Sequence, residues 1–149
     1  MCEMTKADRA EELFRMGYNC SQSVFAAFAE EIGMSVEEAA QYASPFGEGF
    51  GKIREVCGAV SGMTMLAGIK KGYGNPTDAE SKKALYKMIQ QMCAEFEAKQ
   101  GSIICRDMLK LEKGDDLPEP AVRTEEYYKS RPCVQACRDA AEIAEHYLF

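Results

Sequence analysis

The sequence predicts an all-α fold, in which residues 1–149 form one domain, a bundle of about six to seven helices. Three observations favour this fold class. Helix start and stop signals recur along the chain, strand signals are almost absent, and no repeat or long linker divides the 149 residues. A chain of this length fits a single domain and can bury a core without disulfides.

Seven helices follow from the start and stop signals, taken in order along the chain. They span about 5–16, 19–32, 35–43, 55–71, 78–99, 102–111 and 130–149. The first three begin at Thr5, Asn19 and Ser35, each followed three residues later by an acidic or amide side chain, as in a capping box. Thr77 and Ser102 cap the fifth and sixth helices. A loop is predicted at Gly114–Pro120.

Two stretches are rich in glycine. The loop Ser44–Gly51 contains alternating glycines, which we expect to form a tight turn or to bring backbone N–H groups toward sulfur. The helix from residue 55 is unusual, because each glycine in it costs up to about 1 kcal/mol relative to alanine. Its small residues either allow close helix packing or leave room for a cluster or a partner sulfur beside Cys57. The glycines assigned to this candidate cofactor site are Gly47, Gly49, Gly58 and Gly62.

Charge and hydropathy exclude several classes of partner. The net charge of −6 disfavours nucleic acids and anionic membrane surfaces as partners. The longest uncharged, mostly apolar run, Val56–Ile69, has 14 residues, whereas a membrane span needs about 20. The start Met1–Asp8 lacks the basic and apolar regions of a secretory signal. We therefore expect a cytoplasmic protein without a membrane span.

Several cofactor classes lack their characteristic residues. His146 is the single histidine, so the paired Glu-x-x-His motifs of a di-iron bundle are missing, and we expect this side chain on the surface of the last helix. No Cys-x-x-Cys-His motif is present, which argues against haem. The loop around Gly51 and Lys52 has neither P-loop nor GxGxxG spacing, which argues against a nucleotide.

Four of the seven cysteines fall in the first turn of a predicted helix. They are Cys20, Cys57, Cys105 and Cys133. A helix start presents free N–H groups and a partial positive charge, which favour a thiolate over a thiol. The thiolate is the form that ligates metals and attacks disulfides. Four such cysteines suggest one assembled site, although the spacing alone leaves burial in the core as the other interpretation.

The other three cysteines receive separate assignments. Cys2 lies in the N-terminal tail and is given no role. Cys93 falls in the middle of the longest helix, where core packing is expected. Cys137 follows Cys133 by one helical turn, so it shares a face with it and is either a fifth thiol of the site or part of the core.

Four segments of the sequence resemble a known family. They are Asn19–Val24, Cys57–Gly62, Gly101–Asp107 and the late Cys133. Together they resemble the redox-active proteins named for the pattern C_GCAxxG_C_C, small bacterial and archaeal proteins with four characteristic cysteines and a CGAxxG motif. The resemblance extends over about residues 10–146. It implies a redox role for the four cysteines, and a further similarity to the iron-centre region of split-Soret cytochromes implies iron–sulfur ligation.

Two redox hypotheses give the same four cysteines different roles. In the first, Cys20, Cys57, Cys105 and Cys133 ligate an iron–sulfur cluster of two irons, for electron transfer or redox sensing, with a structural zinc site as a variant. In the second, no metal is bound, these residues are redox-active thiols, and Cys57 is the attacking thiolate.

A third hypothesis treats the chain as a non-redox interaction module with core cysteines. It draws on the resemblance, because members of the family often lie near transporter genes, which implies a functional link to a transporter. The redox hypotheses require a partner that the sequence does not identify. Exposed apolar helix faces suggest a homodimer.

Overall fold

The computed structural model describes residues 3–111 and 118–149, and it is helical without a strand in those ranges, apart from an isolated antiparallel bridge between Val56 and Ile104. Its helices are α1 Lys6–Arg15, α2 Cys20–Ala26, α3 Val36–Ala43, α4 Gly58–Lys71, α5 Ala79–Gln100, α6 Cys105–Leu109, α7 Glu125–Ser130 and α8 Cys133–Leu148. The predicted all-α class is confirmed. Within the described ranges, no helix combines the length and the apolarity that crossing a bilayer requires. Cys2 and most of the predicted loop at 114–120 lie outside the described residues.

The short helix α2 forms the centre of the bundle. Asn19 caps it and Gln22 completes the capping box, as the sequence predicts. Apolar residues at helical spacing, Val24, Phe25 and Phe28, are at most 1% exposed. The helix lies against α1, α3, α4 and α8, so it is surrounded by protein on most sides. These four helices are therefore positioned relative to α2.

The last helix is joined to the first by charged and polar contacts at the edge of the core. Arg138 of α8 contacts Asp8 and Glu11 of α1, each at 3.0 Å. Arg123, which precedes α7, donates hydrogen bonds to the carbonyl oxygens of Phe14 and Tyr18 at the end of α1. These contacts fix the start of α7 and α8 against the N-terminal half of the chain.

Several helix boundaries differ from the prediction. The second helix is α-helical only to Ala26, because its hydrogen bonds then tighten into a short 3-10 turn at Glu30–Ile32 that ends at the left-handed Gly33. The fourth helix begins at Gly58 rather than near residue 55, because the preceding residues are extended and pair with the segment before α6. Asp78 rather than Thr77 caps α5.

Helix α7 is one helix more than the sequence analysis predicted. Thr124 caps it by accepting a hydrogen bond from the N–H of Tyr127, and Glu125 and Glu126 occupy its first turn. These are ordinary helix-start signals. This helix is absent from the prediction because the segment has only six helical residues and no apolar periodicity. In the structure, α7 places Tyr127 beside the start of α8.

The glycine-rich segment between α3 and α4 is a tight turn, as predicted, and much of its backbone is left-handed. Glu48, Phe50, Lys52 and Arg54 have φ angles of 57°, 70°, 68° and 69°. A left-handed conformation costs about 1–2 kcal/mol for each residue that is not glycine. Hydrogen bonds to its neighbours hold the segment, among them Glu55 N–H to the carbonyl of Gly49 at 2.9 Å.

The contact between α2 and α4 gives the first testable prediction. A Cβ at Gly62 would lie 2.8 Å from the carbonyl oxygen of Ser21, whereas a Cβ at Gly68 meets nothing within 4 Å. We expect Gly62→Ala to lower the free energy of unfolding by about 1–3 kcal/mol, because backbone must move. Gly68→Ala, the matched control on the same helix, should raise it by up to about 1 kcal/mol.

Urea unfolding followed by circular dichroism measures both values. A Gly62→Ala protein as stable as the wild type would show that the two helices do not approach as closely as this contact requires.

Candidate functional site

Four cysteines from four helix starts line one cavity of about 20 Å³, which we call the thiol chamber. Cys20, Cys105 and Cys133 are the first residues of α2, α6 and α8, and Cys57 is the N-cap of α4. The predicted placement at helix starts is therefore confirmed. The chamber has room for about one water-sized group. Its other wall residues are Glu48, Arg54, Gly58, Met108, Leu109, Tyr127, Arg131, Pro132 and Ala136.

Two of the chamber cysteines are in direct contact. Cys20 and Cys57 share a hydrogen bond between their side chains, and both are free thiols. The contact depends on the start of α4, where the N–H of Cys57 donates to the carbonyl of Ile103 at 2.7 Å. Across the described ranges, no three His, Cys, Asp or Glu side chains are grouped closely enough to hold a metal ion as they stand.

Cys20 is the chamber thiol that ionises most readily. The hydrogen bond from Cys57 lowers the pKa of Cys20 to about 7, and the backbone N–H of Glu48 adds to this effect. That N–H lies 3.5 Å from the Cys20 sulfur, so the glycine-rich segment does direct a backbone donor at a thiol. The same shared hydrogen bond, together with burial, raises the pKa of Cys57. For a metal-free site these pKa directions favour Cys20 as the thiolate, and the role of Cys57 as the attacking residue stays a prediction.

The other chamber thiols are protonated at neutral pH because they are buried. Burial raises the pKa of Cys105, although the nearby Arg54 opposes the rise. Burial raises the pKa of Cys133 to about 12. Burial therefore opposes the helix N–H groups at Cys105 and Cys133, whereas at Cys57 the largest opposing effect is the hydrogen bond shared with Cys20.

A buried arginine forms one wall of the chamber. Arg54 is 2% exposed, and its Nη1 lies 3.6 Å from the sulfur of Cys105. Its backbone carbonyl accepts a hydrogen bond from the N–H of Arg106 at 3.2 Å, which ties the left-handed segment to α6. The arrangement brings a permanent positive charge to a sulfur atom, where it stabilises a thiolate.

Two of the four predicted site glycines touch cysteines. A Cβ at Gly58 would lie 2.4 Å from the sulfur of Cys20, and a Cβ at Gly49 would lie 2.6 Å from the Cβ of Cys105. Gly49 also has a φ angle of 81°, which only glycine adopts at little cost. Gly58 is therefore the glycine that leaves room for the partner sulfur beside Cys57.

The other two predicted site glycines pack against α2 rather than against sulfur. A Cβ at Gly47 would lie 2.2 Å from Nδ2 of Asn19, which caps α2. A Cβ at Gly62 would contact Ser21 and Val24 at 2.8 and 3.0 Å. Both glycines place elements of the chamber without lining it.

The remaining cysteines and the histidine lie outside the chamber lining. Cys137 is fully buried one turn beyond Cys133, and its sulfur is 3.9 Å from the carbonyl oxygen of Cys20. Cys133 rather than Cys137 therefore lines the cavity. Cys93 is half-buried against the core, and His146 is exposed on the last helix, as expected for both.

Several charged and aromatic wall residues were missed by the sequence analysis. They are Glu48, Arg54, Tyr127 and Arg131. Arg54 gives no local signal, because its burial depends on the left-handed backbone and on α6 far along the chain. Tyr127 and Arg131 were missed together with α7. Recognising Thr124 as a helix cap would have placed both beside the start of α8.

Comparison with known proteins identifies a family. A family model described as "Putative redox-active protein (C_GCAxxG_C_C)" matches residues 18–147. No curated protein and no solved structure matches the chain. The matched range contains all four chamber cysteines together with Gly58 and Gly62.

The lowered pKa of Cys20 gives the second prediction. In reduced, metal-free protein, alkylation of Cys20 by iodoacetamide should increase as the pH rises through about 7, because the thiolate forms above its pKa. Cys57→Ala removes the hydrogen-bond donor and should move this rise to higher pH. Cys93, whose pKa is raised by burial, is the internal control and should react only at higher pH.

Peptide mass spectrometry after short exposures at each pH measures the individual sites. The assignment fails if the pH profile of Cys20 is the same in the wild type and in Cys57→Ala.

Proposed function

Because the chain belongs to the C_GCAxxG_C_C family of redox-active proteins, we propose that the thiol chamber is its redox centre and that the four cysteines ligate an iron–sulfur or other metal centre. The observation that carries this proposal is the convergence of Cys20, Cys57, Cys105 and Cys133 on one cavity. A disulfide would use two of these thiols, whereas a centre with four sulfur ligands uses all of them.

The chemistry of the donor set fits such a centre. Four thiolates are the ligands of common iron–sulfur clusters and of structural zinc sites. The chamber thiols with raised pKa values are neutral without a metal, and a bound cation would favour their thiolate forms by direct attraction. When bound, an iron–sulfur centre supplies one-electron transfer, which suits an electron carrier or a redox sensor.

The protein's own groups would tune and shield the centre. The N–H of Glu48 faces the sulfur of Cys20, and Arg54 faces that of Cys105. Hydrogen bonds and positive charge at ligand sulfurs raise a reduction potential, because they stabilise the more negative state. The left-handed segment that carries both residues forms this side of the chamber.

A second candidate is a metal-free disulfide couple, favoured by the direct contact between Cys20 and Cys57. The Cys20 thiolate attacks one sulfur of a partner disulfide and expels the other as a thiolate. Cys57 then loses its proton and attacks the Cys20 sulfur, which expels the second partner thiolate. The partner disulfide gains two electrons, and Cys20 and Cys57 become a disulfide.

Other aspects of the function stay predictions. We propose a redox partner of unassigned identity, a cytoplasmic location, a homodimer and a functional link to a transporter, as the sequence analysis predicts. The non-redox interaction module is the alternative to both redox candidates. It predicts that all four chamber cysteines resist iodoacetamide in the native protein and that no metal is bound.

The third prediction separates the two redox candidates. We expect anaerobically purified protein to contain iron and acid-labile sulfide, at about two of each per chain, with a visible absorbance band. Cys105→Ser should lose the metal and the band, because it removes one of four ligands. Cys93→Ser, a matched change outside the chamber, should retain both.

The disulfide candidate predicts the opposite result for the same variants. The protein would contain no metal, and mild oxidation would join Cys20 to Cys57, detected by mass spectrometry of the linked peptides. Cys105→Ser would then form this disulfide as well as the wild type does, because it lacks neither participating sulfur. Zinc without iron or sulfide would instead indicate a structural site.

A further inference from the structure

One wall residue of the thiol chamber has a buried donor without an acceptor. The Nη1 atom of Arg131 is buried and has no hydrogen-bond partner, the single such side-chain atom among the described residues. A buried polar group left unpaired costs about 1–3 kcal/mol, and more when it is charged. Such an atom in a native structure points to an acceptor that is not part of the chain, such as a water molecule or an ion.

The guanidinium group of Arg131 is fixed at the chamber. Its carbon lies 4.7 Å from the centre of the Tyr127 ring, which holds the cation against an aromatic face. Both residues line the chamber together with Cys133, two residues after Arg131. Tyr127 is itself 9% exposed, whereas Arg131 is half-buried as a whole and its Nη1 atom is buried.

The chamber lining carries charges of both signs, and Cys20 adds a negative charge when it ionises. Two arginines line it, and the Nη1 of Arg54 already faces Cys105. One carboxylate, Glu48, also lines the chamber, and its charge partly offsets that of the arginines. The buried Nη1 of Arg131 has no bond to that carboxylate, so its donor remains available to a ligand.

We infer that the thiol chamber is an anion-binding site in which Arg131 provides the donor, and that its ligand is a small sulfur anion of the size of hydrosulfide. In the metal-free protein the enclosed space of about 20 Å³ matches one heavy atom such as sulfur. The four thiols make the lining suited to sulfur. A longer thiolate or persulfide could place only its terminal sulfur there.

The inference deepens the proposed function and rests on it for the choice of ligand, because inorganic sulfide is the anion that an iron–sulfur centre contains. The anion site itself requires no metal. It is therefore tested in full-length protein that has been reduced and treated with a chelator, while metal and sulfide are measured separately as above.

The test compares two alkylating reagents of similar size and different charge. Iodoacetate is an anion and iodoacetamide is neutral, and peptide mass spectrometry gives the rate constant of each with the chamber cysteines. We expect Arg131→Gln to lower the iodoacetate-to-iodoacetamide rate ratio by about fivefold, since one nearby positive charge is lost. Arg131→Lys should keep most of the ratio. Lys129→Gln, an equal charge change on exposed α7, should leave it unchanged.

A second measurement uses bromide, an anion close in size to hydrosulfide, in place of gluconate at constant ionic strength. Bromide should slow iodoacetate modification of the wild type and have no such effect on Arg131→Gln. In urea, where the chain is unfolded, the wild type and all variants should give the same iodoacetate-to-iodoacetamide rate ratio. An Arg131→Gln ratio equal to that of the wild type overturns the inference. Arg131→Gln could lower the iodoacetate-to-iodoacetamide rate ratio in a protein that is found to bind no metal. That result would support the anion site and refute the metal centre.

Discussion

The close approach of α2 and α4 is the constraint on which the rest of the structure depends. Gly58 and Gly62 are one turn apart, and each leaves space that α2 occupies, with the sulfur of Cys20 against Gly58 and the backbone of Ser21 against Gly62. A side chain at either position would separate the helices. The contact between Cys20 and Cys57 therefore exists because two residues of α4 lack side chains, and their unfavourable helix propensity is offset by the packing they permit.

Burial and helix geometry act against each other at the chamber cysteines. All four lie at helix starts, where N–H groups favour a thiolate, yet burial raises the pKa of Cys105 and Cys133, and the hydrogen bond shared with Cys20, together with burial, raises that of Cys57. Cys20 differs because Cys57 and Glu48 both donate to its sulfur. A bound cation would favour the thiolate forms of the neutral cysteines, and the removal of two electrons would join two of the thiols in a disulfide. This explains why one lining can support either redox candidate.

The left-handed segment joins the two halves of the site. Its unfavourable φ angles persist because Gly49 lies against Cys105 and because hydrogen bonds connect residues 54, 55 and 57 with the start of α6. The segment directs Glu48 and Arg54 toward sulfur and leaves Phe50 exposed to solvent. Strained backbone of this kind is found where a site must hold groups that regular helices cannot place.

The sequence alone determined the helical class, most helix starts and the four cysteines at those starts, because caps and periodicity are local signals that neighbouring residues carry. It also identified Gly58 as a place for a partner sulfur. Helix α7 is absent from the prediction, although Thr124 provides its start signal in the sequence. The tertiary structure alone decided which thiol ionises, which glycines touch sulfur and that Arg54 and Arg131 line the chamber, since these depend on burial and on contacts between residues far apart in the chain. Hydrogen bonds, desolvation and charge act through space, and sequence spacing does not record those distances.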